Sequence, residues 1–524
     1  PVDEIKKKGV DIIIGVDVQS PLAKREEINS VLSIFSQITT FPMTDNMPRK
    51  IKETDIYIKP NIEGFNIISF DKGEEIINNG RIAASLFLPR LKEIAAHQKH
   101  EEKREPIQKI DSFYLKEVHF HGNDHFSRSY LRGKMHLKYL DRKISFDELN
   151  DGLDNLIATN NFHSVSHQLR HTDQGEYIDF FIKESPQRTY LKFGVHYDNL
   201  LKTGFLMNYT RNYFLQSSDF LSLDLIVGDN SRYQFDYFVD KGFYISYGVR
   251  SRFMQFERKL NARRLSNYRI EGSELNRMDV EAYDLVNQLY LQTLLGNGFV
   301  FGLGAEHRKI RFDAEQVYGL STVVSYAENT HFGSLYSYIK YDSLDNTFFP
   351  TRGVYFSSQF NLYAFASDMP NFNKFTTGKT ELSFAFPLFY KTAARVNLEG
   401  GVTIGGTNVY SLDFFLGGNN KNVFGNYSSF YGYDFLSFGA KNYLKSEFVV
   451  DIEPFKKQHI LLLANLAKVD NNLFESFQWH KYPNYSGYGI GYSIDSFLGP
   501  VELKCTYSPE VRQAVWLFNI GYWF

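Results

Sequence analysis

From Tyr190 to the C-terminus the sequence repeats one pattern, an amphipathic segment of about 9 to 13 residues followed by turn residues. Because side chains alternate between the two faces of a strand, this period of two predicts β-strands rather than helices. The two edge strands of a long antiparallel sheet have unpaired backbone N–H and C=O groups, and closure into a barrel removes both edges. We predict sixteen strands, at residues 190–198, 203–212, 219–227, 232–240, 244–254, 280–294, 299–311, 331–341, 352–364, 374–386, 391–405, 441–451, 458–468, 486–496, 499–508 and 514–524.

The alternation separates apolar from charged side chains most clearly in the later strands. Phe384 and Phe386 share one face of a strand, whereas Glu381 lies on the other. The segments 395–404 and 441–451 show the same segregation. A soluble sandwich would bury the apolar face in its core. A transmembrane barrel would turn that face toward lipid and line its lumen with the charged face.

Three further features favour the transmembrane barrel. The strand length suits a bilayer that is crossed by roughly 9 to 11 tilted residues. Aromatic residues are frequent near strand ends, as in the interfacial girdles of membrane barrels. The turns also alternate in length, which predicts one trimmed and one elaborated rim. Tight turns are predicted at 199–202 and 389–391, and long ones at 255–279, 312–330 and 406–440.

Composition excludes several other classes of protein. The net charge of −2 argues against a nucleic-acid binder. Cys505 is the only cysteine, which rules out an intrachain disulfide and a cysteine-based zinc site. No apolar run approaches the roughly 18 residues of a membrane-spanning helix, since the longest obvious one is 460–464. Only six aromatic residues precede residue 111, so the N-terminal part is a different kind of structure from the rest.

Residues 1–98 have the pattern of an α/β layer structure. An apolar run at 10–18 predicts a strand buried on both faces, and 55–60 predicts a second strand. Helical spacing occurs at 28–38 and 73–98. The charged stretch that follows predicts a linker, which we place at 99–110.

The amino-acid sequence of residues 1–98 resembles that of the C-terminal third of patatin-like phospholipase domains. The matching segments are PVDEIKKKGVDIIIGVDV from Pro1, TDIYIKP from Thr54 and INNGRIAA from Ile77. The resemblance implies a Ser–Asp dyad carried by G-x-S-x-G and D-G-[GA] motifs, and neither motif occurs in the chain. We therefore assign no catalytic residue. Asp11 and Asp17 are interpreted as aspartates at the rim of a sheet.

Residues 111–187 predict a small α+β domain with the order β-α-α-β-β. Strands are expected at 112–123, 162–172 and 175–186, and helices at 127–136 and 145–161, the second opening with the capping box of Ser145 and Glu148. This order, with NNFHSV from Asn160 and IDFFIKE from Ile178, resembles a POTRA domain, which implies strand edges that bind partner chains.

Three histidines lie close together in the sequence, two in the first strand of this domain and one just after it. His119 and His121 are expected on one face of the strand, with His125 shortly after them. A shared metal ion is conceivable, but no further ligand type follows at a recognisable spacing, so solvated histidines are the favoured interpretation.

Three separated segments after residue 188 resemble the BamA-like outer-membrane assembly and transport barrels, which include the two-partner-secretion transporters. They are PTRGVYF with Arg352 and Gly353, GYGIGYSIDSFLGPVEL, and the terminal FNIGYWF. The second segment contains Gly489, Gly499 and Pro500. The ending, with Tyr522 and Phe524, looks like the signal that the insertion machinery reads in that superfamily.

The resemblance also implies a long loop that folds into the lumen and places an [VI]-R-G-[FY] tip against the wall. The corresponding loop is 406–440, where Gly432 and Tyr433 match but Tyr431 stands where arginine is usual. The facing strand, 463–468, lacks the acidic partner of that arginine. We therefore expect the loop to dock by stacking and neutral hydrogen bonds.

Together these segments predict a multidomain chain. A partial α/β patatin-like segment (1–98) is followed by one α+β POTRA domain (111–187) and a 16-stranded antiparallel transmembrane β-barrel (188–524). The order resembles patatin-type members of the type V secretion group. The implied function is a barrel in the bacterial outer membrane that anchors or exports a fused phospholipase. The alternative is a non-enzymatic factor for translocation or assembly of outer-membrane proteins.

The same resemblance implies partners. They are outer-membrane lipids and lipopolysaccharide, the barrel-assembly machinery during insertion and a periplasmic partner of the POTRA domain; it leaves a homodimer open. The POTRA domain and the patatin-like part are expected in the periplasm. No cofactor, metal or nucleic acid is expected.

Overall fold

The computed structural model describes residues 2–19, 47–63, 65, 72–97, 111–137, 139–172, 175–261, 275–295, 298–318, 322–405, 409–420, 423–475 and 478–523. The chain divides into two compact units, Pro1–Lys109 and Ile110–Phe524. The helix predicted at 28–38, the linker at 99–110 and the terminal Phe524 lie outside the described residues.

The first unit contains two short strands that pair in parallel, with Ile14 opposite Ile56. The strands are β1 (Ile14–Val16) and β2 (Ile56–Ile58), and the helices are α1 (Val2–Lys6), α2 (Met47–Lys52), α3 (Gly73–Ser85) and α4 (Leu88–His97). The single helix predicted at 73–98 is therefore two helices.

The prediction that 10–18 is buried on both faces is wrong for the described residues. Only Ile13 of this run is a buried apolar side chain, whereas Val10, Ile14, Val16 and Val18 are exposed. The physical reason is that the only strand paired with β1 is β2, so the described sheet has too few strands to cover this apolar run.

Residues 111–187 form a four-stranded mixed sheet with two helices. The elements are β3 (Ser112–His121), α5 (Arg128–Lys134), β4 (Arg142–Ser145), α6 (Phe146–Ala158), β5 (Phe162–Thr172) and β6 (Gly175–Glu184), in the sheet order β4-β3-β6-β5. The predicted elements are present, and β4 is an additional strand. Ser145 caps α6, because its hydroxyl accepts a hydrogen bond of 3.0 Å from the Glu148 amide.

This domain packs on the turn 240–245 of the barrel. The backbones of the domain and of this turn approach each other at two glycines. A Cβ atom added to Gly133 would lie only 2.9 Å from Cα of Gly242. Beside it Lys134 forms an ion pair of 2.9 Å with Asp240. The two glycines therefore allow a close backbone approach, and the ion pair helps to hold the domain against the rim at which the chain enters the barrel.

The remaining chain forms a closed barrel of sixteen antiparallel strands. The strands are β7 (Thr189–Asp198), β8 (Lys202–Asn212), β9 (Asp219–Gly228), β10 (Arg232–Val239), β11 (Ser246–Asn261), β12 (Leu275–Leu295), β13 (Phe299–Tyr318), β14 (Thr322–Asp342), β15 (Gly353–Ala366), β16 (Phe375–Phe389), β17 (Thr392–Gly405), β21 (Asn442–Phe455), β22 (Gln458–Asp470), β23 (Tyr485–Ser496), β24 (Gly499–Ser508) and β25 (Gln513–Ile520). Three short strands, β18 (Phe414–Leu416), β19 (Tyr427–Ser428) and β20 (Phe438–Ala440), form a separate sheet. The sixteen predicted strands correspond one to one with the barrel strands.

The burial pattern of the barrel is the reverse of that of a soluble sandwich. Phe384 and Phe386 are exposed on the outside, as is Phe448. The side chains of Lys445 and Glu447 are buried inside. Burial of charge behind an exposed apolar surface would be very costly in water, whereas it is the normal arrangement when the outer face meets lipid.

Two expectations about the turns are wrong. In the segments 255–279 and 312–330 every described residue is in a strand, because β11 to β14 extend as long paired hairpins beyond the apolar belt. In these parts of the hairpins the outward side chains are polar, so the apolar–polar alternation that marks a strand in the sequence is lost and loops are predicted instead. The tight turn at 199–202 also lies at the same rim as the long loop 406–440, so that rim is not elaborated uniformly.

The two rims are named here by the path of the chain. The entry rim carries the start of β7, the turns 343–352, 390–391 and 497–498, and the C-terminal end of β25. The far rim carries the turn 199–201 and the loop 406–441. Within the described residues, no helix combines the length and apolar character required to traverse a membrane.

Candidate functional site

The described part of the loop 406–440 folds into the barrel and carries the separate sheet of β18, β19 and β20. We call residues 409–440 the inward loop. Phe430, Phe435 and Phe438 of this loop are fully buried. A loop with this much apolar surface needs a lining on which to pack, and the barrel wall supplies it.

The predicted tip residues lie against the wall formed by β22 to β24. The amide of Tyr431 donates a hydrogen bond of 2.9 Å to Oδ1 of Asn465, in the strand expected to lack an acid. The Tyr431 ring packs on Val449 and Leu461, and Nζ of Lys504 lies 5.9 Å from the centre of the ring. The positive charge at this contact is therefore on the wall instead of on the loop.

Two glycines let the backbone of the tip approach the wall. Gly432 has φ +85°, and a Cβ on it would lie 2.8 Å from the carbonyl oxygen of Tyr507. A Cβ on Gly487 of β23 would lie 1.9 Å from the carbonyl oxygen of Tyr431. Sequence reasoning missed this contact of Gly487, since nothing in the sequence separates it from the other glycines of this strand.

Tyr433 completes the tip. Its ring packs edge-on against Phe438 and Tyr485, and its hydroxyl donates a hydrogen bond of 3.0 Å to Glu510. Burial raises the pKa of the Tyr431 and Tyr433 hydroxyls above their ordinary values. A tyrosine hydroxyl is already protonated at neutral pH, and the upward shift extends this to higher pH, so Tyr433 remains a donor toward Glu510.

The expected ring packing and neutral hydrogen bonds are present at the tip, but the loop is also held by charged groups. Glu399 of β17 accepts hydrogen bonds from Ser428 of the loop (2.7 Å) and from Tyr443 (2.7 Å). The same carboxylate pairs with Lys445 at 2.9 Å and Lys379 at 3.2 Å. These contacts join residues distant in sequence, so no spacing in the sequence could reveal them.

A second charged contact links the inward loop to the first turn of the barrel. Asp434 of the loop pairs with Nη2 of Arg258 at 3.3 Å, and Nη1 of Arg258 donates to the carbonyl of Asn199 at 2.6 Å. Nearby, Asn420 of the loop donates to Asp198 at 3.0 Å. The loop is thus connected to the end of β7.

Beside the loop, the lumen contains a cavity of about 660 Å³. Its lining is polar, with Arg250, Arg252, Arg308, Lys340 and Glu306 among the lining side chains. The guanidinium of Arg308 holds both oxygens of Asp284, at 2.7 and 3.0 Å. A lining of this polarity suits water and hydrated solutes better than an apolar ligand.

The junction between the first and last strands is the shortest ladder of the barrel. Among the described residues, only Asn519 opposite Asp198 and Ile520 opposite Tyr197 join β25 to β7. By contrast, eight residue pairs join β25 to β24. We call this junction the seam.

A side chain extends the seam beyond the paired residues. Oδ1 of Asn199 accepts a hydrogen bond of 2.6 Å from the Phe518 amide, and Nδ2 of Asn199 donates to the carbonyl of Trp516 at 3.3 Å. The amide group of one residue therefore takes the place of the next ladder pair. Sequence reasoning missed Asn199, which was predicted only as part of a tight turn.

Three predicted motifs meet at the entry rim. In the turn before β15, Asp345 accepts hydrogen bonds from the amides of Thr351 (2.8 Å) and Arg352 (3.2 Å). Burial opposes ionisation, but these hydrogen bonds prevail and lower the pKa of the Asp345 carboxyl. Gly353 follows at φ +114°, where a Cβ would lie 2.2 Å from the carbonyl oxygen of Ser343.

The C-terminal segment closes on the same rim. A Cβ on Gly499 would lie 2.6 Å from the Tyr522 amide, and Pro500 accepts a hydrogen bond of 3.0 Å from Gly521. The Tyr522 ring lies 5.5 Å from that of Phe348, in the turn that contains Arg352. Gly489 is separate from these contacts, since it faces Thr506 in the wall.

The two histidines of β3 and the nearby His125 all contact carboxylates. His119 and His121 both reach Oδ1 of Asp179, at 3.4 and 3.0 Å, while Arg170 holds the other oxygen of that carboxylate. His125 instead bonds Glu184 at 2.6 Å. The three histidines are not brought together, and the described part of the chain contains no group of three metal-ligating side chains.

The aspartates of the first unit are also placed. Asp17 accepts a hydrogen bond of 2.5 Å from the hydroxyl of Tyr57, and Lys59 lies 3.5 Å from it. Burial and this hydrogen bond raise the pKa of Tyr57 to about 12. Asp11 precedes β1 and is exposed.

Comparison with known proteins agrees with this architecture. The crystal structure of BamA from Haemophilus ducreyi lacking POTRA domains 1–3 is similar with a TM-score of 0.50 and 16% identity, over 78% of this chain and 84% of that chain. CdiB from Acinetobacter baumannii gives a TM-score of 0.46 and 12% identity, over 99% and 95%. No match was found among curated protein sequences. At these identities the likeness to BamA shows the fold.

The sequence model described as the OMP85 superfamily matches residues 176–524, which is more than half of the chain. The matched part contains the barrel, the inward loop and the seam. A sixteen-stranded barrel of this kind fits an outer-membrane location. The chain belongs to the OMP85 superfamily.

Proposed function

We propose that this protein translocates or assembles other polypeptides at the outer membrane, and that the barrel opens between β7 and β25 to do so. The observation that carries the proposal is the seam of two residue pairs in a barrel whose other strands are extensively paired. A backbone hydrogen bond contributes about 0.5 to 1.5 kcal/mol, so the seam costs the least to separate.

The seam also offers a place for a client strand. From the two paired residues toward the far rim, Asn199 is the only described residue of this edge that hydrogen-bonds to the β25 backbone, at Trp516 and Phe518. An incoming strand can replace this side-chain amide with backbone hydrogen bonds, which is β-augmentation. The inward loop contacts the neighbouring Asp198 through Asn420, so movement of the loop and opening of the seam are expected to be linked.

We propose further that residues 111–187 are a POTRA domain that receives clients or a periplasmic partner. The element order supports this, as does the position of the domain on the entry rim. Its strand β5 lies at the edge of the sheet and is largely exposed. In this proposal the entry rim faces the periplasm. Tyr522 and Phe524 are proposed to serve as the signal for the barrel-assembly machinery.

A reversible crosslink across the seam tests the proposed function. The variant Tyr197→Cys/Ile520→Cys, made in a Cys505→Ser background, places two thiols on directly opposed residues, a spacing that a disulfide can bridge. We expect oxidation to reduce insertion of an outer-membrane barrel client into proteoliposomes at least fivefold, and a reductant to restore it.

The matched control crosslinks an ordinary ladder. Leu503 and Phe518 are directly opposed on β24 and β25, and both have partly exposed side chains like Tyr197 and Ile520. The variant Leu503→Cys/Phe518→Cys should insert clients equally well in either redox state. Equal insertion by the oxidised and reduced seam variant would rule out opening between β7 and β25.

A second candidate function is to anchor a patatin-like phospholipase. The parallel pairing of β1 and β2, in a unit separate from the barrel, favours it. The coding sequence upstream of Pro1 tests it, since G-x-S-x-G and D-G-[GA] motifs there would support a fused hydrolase. Absence of both would contradict it. Outer-membrane lipids, lipopolysaccharide and a second copy of the chain remain proposed partners of either function.

A further inference from the structure

The outer face of β13 changes abruptly from apolar to basic. Leu303 is half exposed. Ala305, the next outward residue toward the far rim, is flanked on the neighbouring strands by Leu289 and Leu335, which are 62% and 59% exposed. The next outward position is His307, after which comes Lys309. Because β13 starts at the entry rim, these two residues lie between the apolar belt and the far rim.

Lys309 stands beside a second histidine. It is directly opposed to His331 of β14, so the two side chains project outward about 5 Å apart at Cβ. Arg311, the following outward cation, is already paired with Asp313 at 2.8 Å. Among the described residues, no carboxylate lies within ion-pair distance of Lys309. Lys309 is therefore the cation in this part of the outer surface that is available to bind an anionic ligand.

A chain of hydrogen bonds across the outer surface fixes the direction in which His331 donates. The Ser251 hydroxyl donates to Oδ1 of Asn287 at 2.7 Å, which leaves the amide nitrogen of Asn287 to donate to Nδ1 of His307 at 3.3 Å. His307 must then carry its proton on Nε2 and donate it to Nδ1 of His331, at 3.0 Å.

This polarity places a proton on Nε2 of His331. Within the described residues no acceptor is present for this N–H, and His331 lies directly opposite Lys309 on the outward face of the barrel wall. Gly333, the residue opposed to His307, contributes no side chain to the space next to the two rings. The surface therefore presents one N–H donor and one ammonium group side by side, above exposed leucines.

We propose that Lys309 and His331 bind the phosphate group of a membrane lipid. The ammonium of Lys309 and the Nε2–H of His331 are donors that suit phosphate oxygens. The acyl chains of the same lipid would lie along Leu303, Leu289 and Leu335, directly below. The proposal goes beyond the proposed function, because it requires only that the barrel lies in a bilayer.

The geometry is unsuitable for a metal ion. Nε2 of His307 and Nδ1 of His331 bond to each other, so neither is available as a ligand. A free phosphate ion would also gain nothing from the exposed leucines. The adjacent apolar surface is what commits the site to a lipid phosphate.

Lipid binding by the purified full chain in detergent tests this proposal. Native mass spectrometry would measure the dissociation constant for dioctanoyl phosphatidic acid. Inorganic phosphate represents the headgroup of this lipid alone, and dioctanoylglycerol represents its acyl part alone. We expect phosphatidic acid to bind at least tenfold more tightly than either half. The variant Lys309→Gln/His331→Gln should weaken its binding about tenfold or more, as expected for loss of charged hydrogen bonds.

The controls separate binding from folding. Lys374→Gln removes an exposed lysine in the same far-rim region and should leave the affinity unchanged. Lys309→Arg should retain most of the affinity, and slower migration after boiling shows that each variant is a closed barrel. Equal affinity of the double variant and the parent for phosphatidic acid would overturn the site. Inorganic phosphate binding as tightly as the lipid would overturn the lipid as its ligand.

Discussion

Replacing Glu399 with alanine is expected to lower the unfolding free energy of the barrel by about 3 to 5 kcal/mol. The Glu399 side chain is 8% exposed and holds Lys445, 4% exposed, together with Lys379. Its removal leaves two lysines inside the barrel without their carboxylate, and it also releases Ser428 of the inward loop. The measurement is urea unfolding in lipid vesicles, followed by loss of the faster-migrating folded band in unboiled gels.

Glu257→Ala provides the control for this loss of charge. Glu257 is exposed, and a surface substitution of this kind changes stability by less than about 0.5 kcal/mol. Combining Glu399→Ala with Lys445→Ala should cost less than the sum of the two single changes, because the second removes a charge that the first left unpaired. Strict additivity, or a loss no greater than that of Glu257→Ala, would show that the network does not hold the wall and loop together.

Replacing Gly487 with alanine is expected to dislodge the tip of the inward loop. The new Cβ would lie 1.9 Å from the carbonyl oxygen of Tyr431, and neither backbone can move without breaking the hydrogen bond of Tyr431 to Asn465 or the β23 ladder. Overpacking of this kind costs about 1 to 3 kcal/mol. The population of the displaced loop should therefore rise by about 5- to 150-fold.

Chymotrypsin can report this displacement, because its aromatic cleavage sites in the tip are buried. Phe430, Tyr431 and Tyr433 are each less than 5% exposed. We expect Gly487→Ala in lipid nanodiscs to be cleaved at these residues at least fivefold faster, as identified by mass spectrometry of the fragments. Gly425→Ala is the matched control, since a Cβ at that position of the same loop meets nothing within 4 Å. Cleavage of both variants at the rate of the unmodified protein would contradict the role of Gly487.

The residues of the tip show how far sequence reasoning reaches into the site. The position of Tyr431, Gly432 and Tyr433 within a loop that enters the lumen could be predicted from a motif, as could the absence of an acid on the facing strand. The charged contacts could not be predicted, because Glu399 and Asp434 meet partners that are close only after the barrel has closed. Glutamate, aspartate, lysine and arginine occur throughout the charged faces of the strands, so residue type alone does not predict which of them pair.

The sequence by itself determined the sixteen strands, their order and, in several later strands, the face that is turned outward. These follow from local rules, since side chains alternate along a strand and antiparallel neighbours are joined by short turns. The same local reasoning failed at 10–18, where the burial of an apolar run depends on how many strands pair beside it, and at 312–330, where polar strands extend beyond the apolar belt.

Only the tertiary structure decided where the ring closes and what its interior holds. The register of β25 against β7 is the sum of the offsets of all the other strand pairs, so no single segment encodes the two-pair seam. The position of Asn199 on the edge of β25 and that of Lys309 beside His331 depend on the same registers. Alternation along one strand fixes which face a side chain occupies, but closure of the whole barrel fixes which side chains become neighbours.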